Sequence, residues 1–284
     1  MKKIDRITKT PFFKVLVIFF VLFIVVKTLD YFGSSDSPLE YPDYEMIDLN
    51  MAVDLEQVYR GRMDDNTKEV LFLQTGLGEE GIEDLCSRCE TTAELLVSLE
   101  KYQKQLFFGN EETLMIDLEE GDILVSLSQR FCFYPHGHAA MVLDGEKQEI
   151  LEAKSYAAGS CISSMKRWLK NCSFVVLRLK ESVIEEYARQ NGIHLAVAAT
   201  EFAKENLVGL KYSLFKDLRP LSDTIPEYTQ CAHLVWYAYY ACGLDIDENR
   251  GLIIKPKDFL TSDALEVVQV YGINPEEILE MRNE

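Results

Sequence analysis

Apolar residues recur at helical spacing from Tyr44 to about Phe108, as in Ile82 and Leu85, then Leu95, Leu96, Leu99 and Tyr102, with a turn near Gly76-Leu77-Gly78. Several helices are predicted there. The period changes at Leu114. From there Leu114–Leu118, Asp122–Leu127, His138–Leu143, Glu149–Ala153 and Phe174–Leu179 read as short strands separated by turn residues. A helix from Ser182 to Leu207 follows. A second starts at Cys231, and a last segment from Asp258 to Tyr271 combines a short helix with the strand-like Val267-Val268-Gln269-Val270. The pattern is α+β, with a helix packed on a small antiparallel sheet. It shows no internal repeat and no low-complexity tract.

One apolar run differs from the others. Lys2, Lys3, Arg6, Lys9 and Lys14 precede the unbroken stretch Val15 to Val26, which Lys27 closes, and flanking residues extend it to about twenty. This predicts an N-terminal transmembrane helix. A cleaved signal peptide shares the charged start, but no small-x-small cleavage site follows. Positive charge ahead of the run places the N-terminus in the cytoplasm. The expectation is therefore a single-pass protein of the cell membrane with its main domain extracytoplasmic. The organisation that follows is a basic tail and membrane anchor (1–33), a Ser- and Pro-containing linker (34–43), a helical accessory segment (44–113) and the α+β domain (114–284).

Charge then removes one class of partner. The 284 residues carry a formal net charge of −18, with no basic cluster past the first residues, so no nucleic-acid partner is expected. The Cys86-Ser87-Arg88-Cys89 pair has metal or redox spacing but supplies only two of the four ligands of a structural zinc site. A local disulfide and two free thiols are the other readings. The expected chemistry needs no cofactor and no metal.

Candidate chemistry centres on Tyr228-Thr229-Gln230-Cys231-Ala232-His233-Leu234-Val235-Trp236. A polar turn containing Pro226 precedes it, Leu234, Val235 and Ala238 lie at helical spacing from Cys231, and Gly243 supplies a stop. A thiol in the first turn sits at the positive end of the helix dipole, which favours the thiolate, and the same backbone N–H groups suit an oxyanion. A lone cysteine in an apolar helix is more often core, and Cys242 is read that way.

What separates Cys231 from that reading lies upstream. His138-Ala139-Ala140-Met141-Val142-Leu143-Asp144-Gly145 and Ile150-Leu151-Glu152-Ala153 read as a β-hairpin. Centred on Gly145, it sets His138 directly opposite Glu152 on one face. Nucleophile, base and orienting carboxylate then correspond to Cys231, His138 and Glu152. A one-residue slip would send Glu152 to the other face. His136 shares parity with His138 and is its rival. His233 points away from Cys231 and reads as surface or partner-facing, and His194 as structural.

These residues, with Gly121-Asp122-Ile123-Leu124, Gly209-Leu210-Lys211-Tyr212 and Ile254-Lys255-Pro256-Lys257-Asp258-Phe259, resemble the permuted branch of the NlpC-type papain-like superfamily, the YiiX/YaeF-like cysteine amidases. The resemblance covers about Leu114 to Val270, and the histidine strand precedes the cysteine helix as in that branch. It implies a circularly permuted papain-like fold with Cys231 as nucleophile, His138 as base, Glu152 as third polar residue and Tyr212 lining the site. It departs where Ala232 stands in place of a frequent Ser. The activity implied is hydrolysis of an amide or related acyl bond through a thioester, on a cell-wall peptide or a lipid-linked acyl substrate. Lipid acyl transfer on the same fold, and a binding or scaffolding module without catalysis, are the alternatives.

Overall fold

The computed structural model describes residues 15, 18–23, 35–36, 39–109, 112–131, 134–171, 173–217, 219 and 224–283. Val15 and Ile18–Phe23 are helical and exposed. Among the described residues no helix is long and apolar enough to cross a membrane. This overturns the expected N-terminal transmembrane helix, and with it the single-pass, extracytoplasmic placement. The rest of the predicted anchor lies outside the described residues.

The chain is α+β. Strand β1 (Ser35–Asp36) leads into five helices: α1 (Leu49–Ala52), α2 (Leu55–Tyr59), α3 (Asp65–Thr75), α4 (Glu79–Arg88) and α5 (Thr92–Phe108). Four of these begin at side-chain caps, where Asp48, Asp54, Asp64 and Thr91 accept hydrogen bonds from first-turn N–H groups. The strands that follow are β2 (Ile123–Ser126), β3 (Gln129–Phe131), β4 (Tyr134–Pro135), β5 (His138–Asp144), β6 (Glu149–Ser155) and β7 (Gly159–Ser164). Next come α6 (Lys166–Asn171), β8 (Phe174–Leu179), α7 (Glu181–Asn191), α8 (Leu195–Asn206), β9 (Lys211–Tyr212), β10 (Tyr228–Thr229) and α9 (Cys231–Ala241). A 3-10 turn (Pro256–Thr261), β11 (Leu265–Tyr271) and α10 (Pro275–Asn283) complete the chain.

Six strands form one antiparallel sheet in the order β11-β8-β2-β5-β6-β7. It is covered on both faces. Ile123, Val125, Ala139, Met141, Leu151, Val175 and Leu177 share a core with α8 and α9. Leu124, Ala140, Val142, Ile150 and Val176, one residue out of phase, share a second core with α1 to α5 and with Trp168 of α6. Two-sided burial explains why β2, β5 and β8 read as unbroken apolar runs instead of alternating ones.

The helical segment is stitched to the sheet edge. Gly78 N–H donates to Val268 O at 3.0 Å, and Val270 N–H to Gly76 O at 2.7 Å. A Cβ at Gly78 would lie 1.8 Å from Val267 O, so only glycine admits this approach. The predicted strand Leu114–Leu118 is irregular and joins no ladder. Its polar groups are met instead by two buried amides. Gln105 donates to Leu114 O at 3.1 Å, Gln269 donates to the same oxygen at 2.8 Å, and Gln269 Oε1 accepts from Ile116 N at 3.1 Å. The predicted helix Ser182–Leu207 is two helices, broken at Gly192, whose φ of 73° caps α7 in the left-handed region.

Candidate active site

Helix α9 begins at Cys231 because Gln230 caps it in extended conformation. The Gln230 side chain is fixed at both ends: Nε2 donates to Ile254 O at 2.7 Å, while Oε1 accepts from Ala232 N at 2.9 Å. The same oxygen faces Cys231 Sγ at 3.4 Å. Of the helix-start N–H groups that the sequence offers to an oxyanion, that of Ala232 is therefore engaged by Gln230.

His138 opens β5, and Glu152 lies in the middle of β6. The hairpin register pairs Ala140, not His138, with Glu152, and a bulge falls between Val142 and Asp144. The expected directly opposed pair is thus a diagonal one. The two-residue offset preserves parity, so both side chains stay on the same face, and His138 Nε2 meets Glu152 Oε2 at 2.8 Å. With Nε2 occupied, Nδ1 is the nitrogen left for the Cys231 thiol, which hydrogen-bonds the ring. Cys231, His138 and Glu152 are 3 %, 4 % and 1 % exposed.

Their ionisation follows from the contacts. Burial alone would raise the Cys231 thiol, but the hydrogen bond and charge of His138, then the N–H groups of Ala139 and Ala232, leave it below the ordinary 9.0. Burial likewise disfavours the imidazolium. The thiol and Glu152 outweigh it and raise His138 from 6.5 to about 9. Glu152 is pushed up by burial but held at about 2 by His138, the Ser163 hydroxyl and Lys154. The arrangement favours a thiolate beside an imidazolium, itself beside a carboxylate.

The structure brings Cys231, His138 and Glu152 together. Tyr212 lies in β9, which runs parallel to β10 with Tyr212 level with Thr229, two residues ahead of the thiol. Its half-buried ring packs edge-on against Tyr156 at 5.1 Å. His136 is half-buried just before β5, with its N–H on Gln129 O. His194 stands exposed at the start of α8. His233 is buried, against the surface position expected of it. Its Nδ1 meets Thr229 Oγ1 at 3.0 Å, its ring packs on Trp236 and Tyr237, and its Nε2 has no hydrogen-bond partner among the described residues. Cys86 and Cys89 are half-buried free thiols, and burial, with Cys89 and Glu83 nearby, pushes Cys86 up to about 11.

Four contributors go unmarked by the sequence pattern. Trp168 stacks on His138 with ring centroids 5.4 Å apart and planes 24° from parallel. Ser163 donates to Glu152 Oε1, and Lys154 Nζ lies 3.3 Å from the same oxygen. Gln230 is the fourth. The signal for Ser163 is β-parity with Cys161, which lies across the ladder from Glu152; Lys154 falls at a register shift between Ala153 and Ser155, where alternation gives no signal. Trp168 sits on a six-residue helix too short to show a period. Comparison of the chain with the families of known proteins, with curated proteins and with solved structures returns no match.

Proposed function

We propose that this chain is a cysteine hydrolase that cleaves an amide or related acyl bond of a peptide or acyl-amide substrate. The observation that carries the reading is the contact between the Cys231 thiol, at a helix N-terminus, and His138, whose far nitrogen is held by a buried carboxylate. The resemblance to permuted NlpC-type cysteine amidases is a second support, because it arises from residues along the chain and not from this geometry.

The roles follow from the atoms. The Cys231 thiolate attacks the carbonyl carbon, and the tetrahedral adduct collapses as the leaving amine takes the proton from the imidazolium of His138. The product is a thioester on Cys231 and a neutral imidazole. Water then gives a proton to that imidazole as it attacks the thioester. The second collapse releases the carboxylic acid and restores the thiolate. Glu152 keeps the ring oriented and favours its charged form without taking the proton.

Labelling the full chain with a thiol-directed acyl electrophile, read by mass spectrometry, tests this. At neutral pH an ordinary thiol is about three per cent thiolate and burial raises Cys242 further, so Cys231 should label more than tenfold faster than Cys242. Cys231→Ser should abolish that label. Labelling of Cys231 no faster than of its neighbours would end the reading.

A further inference from the structure

The reading of Cys231 and His138 as thiolate and imidazolium leaves half of the Glu152 carboxylate unexplained. Only Oε2 serves the ring. Oε1 accepts from the Ser163 hydroxyl and lies 3.3 Å from Lys154 Nζ. Glu152 itself is almost wholly buried, whereas the Lys154 side chain keeps 35 % of its surface in solvent.

We infer that Lys154 and Ser163 are positioning residues of this site, engaging Oε1 so that Glu152 presents only Oε2 to His138 and divides its charge between the ring and the Lys154 ammonium. The geometry makes two roles separable. Ser163 reaches across the β6–β7 ladder and fixes rotation of the carboxylate. Lys154, two residues along the same strand and at a register shift of the β6–β7 ladder, brings its ammonium to 3.3 Å from Oε1. A carboxylate serving one imidazole alone would lend it all its charge and hold its proton more tightly. The shared one weakens that hold and keeps the proton transferable to a leaving group.

His138 comes from β5, Lys154 from the strand of Glu152 itself, and Ser163 with Cys161, directly across from Glu152, from β7. Helix α9 brings Cys231, which acts on the ring. Strand β9 brings Lys211, whose charge is taken by Glu227, and Tyr212. Lys154 is the cation whose ammonium lies within ion-pair distance of Glu152.

The experiment is a titration of the His138 ring by two-bond proton–nitrogen NMR on the full chain, with His138→Ala assigning its signals. The wild-type midpoint is expected near 9. Lys154→Met, with Lys154→Gln as a second neutral variant, should raise it by roughly half a pH unit, the size expected of a partly exposed charge. Lys154→Arg should restore the wild-type value. Ser163→Ala should speed solvent exchange of the Nε2 proton, and Ser163→Thr should slow it again. A midpoint unmoved or lowered in both neutral variants overturns the inference, while a wild-type midpoint still well above 6.5 leaves the hydrolase reading standing. A wild-type midpoint near 6.5 removes that reading itself, and the inference with it.

Discussion

Glu152 reaches His138 along a diagonal of the β5–β6 hairpin, because its direct partner across the ladder is Ala140. The diagonal is longer than the direct pairing, and the long glutamate side chain spans it. Shortening the side chain should therefore cost as much as removing its charge. Glu152→Asp is expected to slow Cys231 alkylation at neutral pH by at least tenfold, comparable to Glu152→Gln. An Asp variant alkylated at the wild-type rate would show that the reach is not limiting.

The same pair sets a pH window for stability. Glu152, held at about 2 against an ordinary 4.5, contributes stability that is full above 4.5 and lost as pH falls through 2. His138, raised from 6.5 to about 9, contributes stability that is full below 6.5 and lost as pH rises through 9. The difference in Tm between wild type and Glu152→Gln should then be largest from pH 4.5 to 6.5 and narrow on both sides. Thermal melts across pH 2 to 10 check this, and a difference flat with pH would contradict it.

Trp168 is wholly buried, and its ring lies over His138. Its Nε1 has no hydrogen-bond partner among the described residues, so Trp168→Phe removes volume but no bond. Trp168→Ala should cost about 3–5 kcal/mol in chemical unfolding and slow Cys231 alkylation tenfold or more, while Phe retains most of the rate. Alkylation unchanged in a folded Ala variant would mean that the stack does not hold the imidazole.

His233 is a buried neutral imidazole. Burial, partly offset by Asp217 and reinforced by Arg219, lowers it from 6.5 to about 4. A depressed histidine contributes stability that is full above 6.5 and lost as pH falls through 4. Wild-type Tm should accordingly fall between pH 6.5 and 4, and His233→Phe should fall less over that interval. Equal slopes would assign the acid loss elsewhere.

At the Gly76–Gly78 turn the helical layer meets β11 backbone to backbone. Gly78 has an ordinary φ of −74°, so an alanine there is opposed by contact with Val267 O and not by torsion. Gly78→Ala should destabilise by about 2–3 kcal/mol in urea unfolding. A neutral effect would mean that the layer can lift without loss.

Much of this molecule is legible in its sequence because burial imposes a period. The thiol helix shows itself through Leu234, Val235 and Ala238, and the β5–β6 hairpin through its apolar run and turn. The diagonal contact is not visible, because the turn is centred between Glu146 and Lys147 instead of on Gly145, and the one-residue bulge near Leu143 then restores the parity that this displacement would break. Leu114–Leu118 misleads because glutamine side chains from distant elements satisfy a backbone that has the composition of a strand. His233 misleads for a similar reason: helical angle places it away from Cys231, but away from the thiol is the aromatic packing of Trp236 and Tyr237. Strand β7 escapes notice because its Gly, Ser and Cys residues carry little apolar signal, and with it goes Ser163.

The site draws on both faces of the sheet, since His138 and Glu152 share parity with the core beneath α1 to α5 while Cys231 comes from the opposite layer. Order of synthesis gives this a consequence. The hairpin leaves the ribosome first, and Cys231 follows 79 residues after Glu152. A nascent Cys231 is an ordinary thiol of pKa near 9.0, almost fully protonated at neutral pH. It gains its thiolate only on docking against an imidazole already in place. On the proposed reading, Cys231 thereby stays a weakly reactive thiol in the growing polypeptide until α9 packs on the sheet.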